Sequence, residues 1–176
     1  MTSRKMRVFL PVALTLLLTD CATKRLAEER LQYHVPTPVV GDLLRFTLSY
    51  NQGAAMGTSL GEYSRVGFSV VAVAMLAILL NVLRATPPDD GWAAAALALI
   101  CGGAVGNLLD RLRSARGVVD FIDIGIGDHR FWIFNVADIG VTVGAATLAF
   151  LIWRRGDPTT PPAAGAPPSP PTPPAP

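Results

Sequence analysis

Four apolar runs, at residues 8–22, 66–83, 92–109 and 133–153, constrain this chain more than any other feature. Each is close to the roughly 20 residues that a helix needs to cross about 30 Å of hydrocarbon. Composition agrees: 51% of the 176 residues are hydrophobic, only 16% are charged, and mean hydropathy is +0.41, whereas a soluble domain of this size carries more charge. The net charge of +2 and the lack of a basic stripe able to follow phosphates argue against nucleic acid as a partner. Cys21 and Cys101 both lie inside apolar runs, where a thiol behaves as a small hydrophobe, so they fix no redox compartment.

The second run, with Phe68, Val70, Val71, Met75, Leu76 and Ile78, is the most apolar, and the third is rich in alanine, which favours close helix packing in lipid. Between them, residues 85–91 contain Pro87, Pro88, Asp89 and Asp90, a short break that makes the two runs a helical hairpin. Two longer loops then fall on the opposite side. The first run follows Arg4, Lys5 and Arg7 and ends near Cys21, imitating a lipoprotein signal peptide. Asp20 directly before Cys21 conflicts with the small residues such a cleavage site requires, so the run is read as a retained helix. A cytoplasmic N-terminus would place Arg4, Lys5, Arg7, Arg84, Arg154 and Arg155 inside, yet more Lys and Arg lie in the opposite loops, and charge alone leaves orientation open. Residues 156–176 are mostly Pro, Ala and Thr, which cannot bury a core. They are expected to form a disordered tail behind one membrane domain at residues 1–155.

The chemistry lies in the loops and at the helix ends. Residues 43–50 alternate like a strand and lead into Asn51-Gln52-Gly53-Ala54-Ala55-Met56-Gly57, where small residues allow close approach of backbone to a ligand; a plain turn is the equal alternative. Asn107, Asp110 and Arg111 share a helical face at the end of the third run, as site groups or as an interfacial pair at a helix end. A short strand is expected over residues 117–124, surrounding Asp120 with apolar neighbours. Asp138 lies within the fourth run, one turn after Asn135, and an ionised carboxylate in mid-bilayer costs about 2.5–3.5 kcal/mol. Asp20 and Lys24 have the i,i+4 spacing of an ion pair. Two carboxylates held close in a dry site do not both ionise easily, and such a pair activates water with one member and protonates a carbonyl with the other. Asp120 and Asp138 are the candidates.

Asn51-x-Gly53-Ala54-Ala55, Gly106-Asn107-x-x-Asp110-Arg111, Val118-Val119-Asp120-Phe121 and Phe134-Asn135-x-Ala137-Asp138, in that order and with Asp20 and Lys24 upstream, resemble the motifs of the lipoprotein signal peptidases. The resemblance covers roughly residues 8–155 and departs at Met56, where the family often has Phe, and in the Pro-rich tail. It implies an all-α membrane protein of four transmembrane helices with a small extracytoplasmic β-rich platform and a mobile flap. By the same resemblance, Asp120 and Asp138 are the catalytic pair of an aspartic endopeptidase. Asn51, Asn107, Arg111 and Asn135 line the substrate site, Asp110 and Ala137 support it, and Asp20 with Lys24 fixes the first helix against it. The implied substrate is a prolipoprotein carrying diacylglyceryl on its cysteine, cut on the N-terminal side of that cysteine without metal or organic cofactor. The implied setting is the bacterial inner membrane, among membrane lipids, as a monomer with the site outside and both termini cytoplasmic. Two other classes fit parts of the sequence: a proton path through Asp20, Lys24, Asp110 and Asp138, and a metal-dependent hydrolase using Asp120, Asp123, Asp128 and His129.

Overall fold

The computed structural model describes residues 3–53 and 63–156. The expected close approach at residues 54–57, the flap and the tail beyond residue 156 lie outside them. Among the described residues, four helices are long and apolar enough to cross a membrane: α1 (Arg4–Arg30), α2 (Ser64–Ala85), α3 (Gly91–Arg113) and α4 (Val136–Arg155). At 1.5 Å per residue they measure about 30–40 Å. Strands β1 (Thr37–Val40), β2 (Leu44–Asn51), β3 (Val118–Ile126) and β4 (His129–Arg130) form one antiparallel sheet in sequence order.

Helix α3 is central, packing against α1, α4 and α2. Its Ala94, Leu97, Ala98 and Cys101 meet Phe9 of α1 and Leu79 and Leu83 of α2 in the apolar core. Small residues let the backbones approach. A Cβ on Gly103 would collide with the carbonyl oxygen of Ala137, so α3 and α4 touch backbone to backbone at that point.

The end of the bundle that holds the α2–α3 hairpin is closed by polar ties. Lys5 Nζ donates to the carbonyls of Leu83, Arg84 and Thr86 at 2.9, 3.0 and 2.7 Å, putting a cation on the negative end of α2. Asp90 caps α3 by accepting from Ala93 N–H, and its other oxygen lies 2.6 Å from Arg155 Nη2.

At the opposite end lies the sheet. Along β3, alternation puts Asp120 on one face and Phe121 and Asp123 on the other. Asp123 accepts from Arg130 Nε at 2.6 Å and from Thr47 Oγ1 at 3.0 Å, while Arg130 also donates to the carbonyls of Asp123 and Asp42. This pins the β3–β4 hairpin to β2. Residues 125–130 form a hairpin turn, and Arg130 and Asp123 are a largely buried pair. Asp123 is therefore committed to Arg130 and Thr47 on the face away from Asp120, which breaks up the metal-ligand set read from the sequence.

Candidate active site

Asp120 and Asp138 come from distant segments that β3 draws together. Phe134 N–H donates to the carbonyl of Ile122 at 3.0 Å, and Ile122 N–H donates back to the carbonyl of Phe134 at 2.8 Å. The chain entering α4 is thus paired to β3, and its next residue, Asn135, arrives beside Asp120. Asn135 is the N-cap of α4. Its Oδ1 accepts from Asp138 N–H at 3.0 Å, and Asp138 Oδ2 accepts from Asn135 N–H at 3.1 Å, a reciprocal capping box. The Asn135 amide nitrogen donates to Asp120 Oδ1 at 2.6 Å. One fully buried asparagine therefore holds both carboxylates.

Helix α3 supplies the second bracket. Asn107 Nδ2 donates to Asp138 Oδ1 at 2.8 Å, and Asn107 Oδ1 accepts from Lys24 Nζ at 2.8 Å and from Asn135 Nδ2 at 3.1 Å. Lys24 is a hub, also 2.8 Å from Asp20 Oδ2 and 2.8 Å from Asp110 Oδ2. A buried ammonium needs such neighbours, because an unpaired one is strongly disfavoured in the interior. Each acid then reaches out to another element. Asp110 Oδ2 accepts from Val119 N–H at 3.2 Å, fixing β3 next to Asp120, and Asp20 Oδ1 accepts from Ala137 N–H at 2.8 Å in the first turn of α4. Gly106 leaves the room for this, since a Cβ there would stand 2.5 Å from Asp20 Oδ2.

Asp120 and Asp138 open into a cleft of about 1330 Å³ shared with Asn51, Asn107 and Arg111. Asp120 is only 3% exposed. Burial, and after it the charge of Asp138, pushes the Asp120 carboxyl up to about 7, against opposing hydrogen bonds from Asn135 and Asn51. Arg111 donates to the carbonyls of Asn107 and Gly53 at 3.1 Å each, so it ties the segment after β2 to the site.

The ten residues assigned to a peptidase site in the sequence thus lie in one connected cluster, and the acids proposed for a proton path gather at one end of the bundle instead of lining it. Sequence reasoning missed the reach of Lys24 to Asp110 and Asn107, the Asp123–Arg130–Thr47 clasp, and a rim of Glu28, Tyr33, Tyr50 and Arg116 on the cleft. Only the i,i+4 spacing of Lys24 and Glu28 hinted that α1 continues past the site on the same face.

Four membrane-crossing helices among the described residues, with buried Asp120 and half-buried Asp138 opening into one cleft at one end, describe a multi-pass membrane protein with a candidate hydrolytic site. The chain belongs to the signal peptidase (SPase) II family, whose sequence profile matches residues 12–154. It is 37% identical over 160 residues to a lipoprotein signal peptidase of Streptomyces coelicolor, covering 88% of this chain and 74% of that protein. Identity is 39% over 144 residues with the lipoprotein signal peptidase of Geobacter metallireducens, covering 81% and 88%, and 40% over 144 residues with that of Pseudomonas fluorescens, covering 80% and 84%. Its fold is similar to a bacterial membrane enzyme solved by the in meso method, with a TM-score of 0.72 at 26% identity over 82% of this chain and 87% of that one. The protein is accordingly a multi-pass bacterial membrane peptidase of the aspartic class.

Proposed function

We propose that this peptidase removes the signal peptide from diacylglyceryl-modified prolipoproteins, cutting N-terminal to the lipidated cysteine, with Asp120 and Asp138 as the catalytic pair. The observation that carries the assignment is the joint hold of Asn135 on both carboxylates inside the cleft. Asp138 accepts N–H donors from Asn135 and Asn107 at the positive end of α4, surroundings that suit a carboxylate acting as base. Asp120, pushed up to about 7, suits the acid.

Asp138 takes a proton from water as the water oxygen bonds to the scissile carbonyl carbon, and Asp120 gives its proton to the carbonyl oxygen. The tetrahedral species then collapses. Asp138 returns its proton to the departing cysteine nitrogen as the C–N bond breaks, and Asp120 recovers a proton from the hydroxyl that becomes the new carboxyl. Asn107, Asn51 and Arg111 bind and orient the chain, and Asp20, Lys24, Asp110 and Ala137 hold the bracket. The site end faces the outer side of the cytoplasmic membrane and both termini are cytoplasmic. The protein acts as a monomer, to be checked by light scattering in detergent.

The test is cleavage of a diacylglyceryl-modified prolipoprotein by purified protein in detergent. Asp120→Asn and Asp138→Asn should each lower turnover by about 1,000-fold or more, and a chelator should leave the wild-type rate unchanged. Wild-type turnover in either variant would remove that residue from the mechanism, and loss of activity with chelator would restore the metal reading.

A further inference from the structure

The outer wall of the cleft carries an arrangement that the peptide-bond chemistry does not use. Four planar groups are stacked there, three of which, Tyr33, Tyr50 and Arg116, line the cleft. The His34 and Tyr33 rings lie 4.0 Å apart at 20°, the Tyr33 and Tyr50 rings 5.7 Å apart at 29°, and the Arg116 guanidinium carbon sits 4.2 Å from the centre of the Tyr50 ring. Glu28 Oε1 accepts from Tyr50 Oη at 3.0 Å and from Arg116 Nη2 at 3.1 Å, so one carboxylate joins α1, the end of β2 and the α3–β3 connection. Burial, and then the bond to Glu28, pushes the Tyr50 phenol up, which keeps it a proton donor.

The position of this rim along the cleft indicates what it meets. At the other end the cleft is lined by Val141 and Thr142, about one turn beyond Asp138 into the α4 span. Under the proposed function, the apolar signal segment is the part of the substrate that would lie on that side. Glu28 is one turn past the buried Lys24, at the end of a 27-residue helix longer than the hydrocarbon is thick, so the rim stands in water. What crosses it is the polypeptide on the far side of the scissile bond.

We infer that Glu28, Tyr50 and Arg116 read the first residues after the lipidated cysteine and select uncharged ones. The planar stack offers flat faces and polar edges to an extended chain, while its opposed charges set a barrier to either sign. An acidic side chain there competes with Glu28 for Arg116, and a basic one competes with Arg116 for Glu28. The pair is solvent-exposed and contributes little to stability, so its two charges are available for selectivity. The inference rests on the peptidase reading above.

It is tested with full-length protein in detergent and three diacylglyceryl-modified substrates that differ only in the second residue after the cysteine, carrying Ser, Asp or Lys. Wild type should prefer Ser over both by about fivefold in kcat/KM, through KM more than kcat. Glu28→Gln should move the Asp-to-Lys ratio about tenfold toward Asp, and Arg116→Gln about tenfold toward Lys. Because the readout is a ratio between substrates, partial loss of folded enzyme cancels. Equal losses on all three substrates in both variants would overturn the inference and leave the rim a scaffold. If wild type cut none of the three, the peptidase reading itself would fall.

Discussion

Asp120 and Asp138 have the same side chain in different surroundings, and the difference underlies the roles proposed for them. Asp120 is buried on β3 and takes a 2.6 Å bond from Asn135 on Oδ1 and a second side-chain bond from Asn51. Its carboxyl, raised from 3.8 to about 7, makes the acid form available near neutrality and removes it above. Activity should therefore fall about tenfold per pH unit above roughly pH 7, measured as kcat/KM on a lipidated substrate; a flat profile to pH 9 would take the acid role from Asp120. The same shift acts on stability. A carboxyl whose folded-state pKa is raised adds stability that is complete below about pH 3.8 and is lost as pH rises through about 7. Asp120→Asn removes that ionisation, so this variant should gain more in Tm over wild type at pH 8 than at pH 5. Thermal unfolding in detergent reads this directly, and an equal difference at both values would refute it. Sequence alone showed a carboxylate among apolar neighbours. That its protonation is biased by Asn135, Asn51 and Asp138 together depends on the folded arrangement.

Helices and strands were unequally legible. The spans were visible because hydropathy is summed over many residues, but their ends were not: the apolar run at 8–22 belongs to α1 spanning Arg4–Arg30. Beyond Ala22 the helix continues on polar residues that hydropathy ignores, and those residues, Lys24 and Glu28, face the site. Strand β1 carries Pro38 on an edge, is exposed along its length, and exists only through pairing with β2, so local pattern could not reveal it. Glycines in α3 looked like general small-residue packing, whereas Gly106 answers one specific need, space for Asp20 as it reaches Ala137 N–H. Gly106→Ala should lower stability by about 1–3 kcal/mol and slow turnover, because the displaced carboxylate loosens the first turn of α4 that carries Asp138. Gly91→Ala, where a Cβ would make only ordinary contact at 3.5 Å, is the control. If the two variants matched in Tm and rate, the Asp20 contact would not govern the site.

Over the whole molecule, the two ends of the bundle are chemically distinct, and the distinction bears on which way the protein faces. One end collects Lys5, Arg84 and Arg155 at helix termini and in a short hairpin, the places where the positive-inside bias counts most. The other end is where basic residues have become structure: Lys24 lies inside the acid cluster, Arg130 is clasped to Asp123, and Arg111 holds Gly53. Counting Lys and Arg in the sequence could not decide orientation because it weighed these built-in cations equally with the others. With those three set aside, six Lys and Arg remain at each end, and the weight that the bias gives to short loops and helix termini supports the proposed orientation, with the hairpin end cytoplasmic. A background of Cys21→Ala and Cys101→Ala, with one cysteine introduced as Asp89→Cys in the hairpin or Asp128→Cys in the β3–β4 turn, reads this out in intact spheroplasts. An impermeant maleimide should label the Asp128→Cys protein directly and the Asp89→Cys protein only after permeabilisation. The reverse pattern would place the cleft on the cytoplasmic face, where a peptidase acting on exported prolipoproteins has no access to its substrate, and would overturn the orientation and the proposed substrate together.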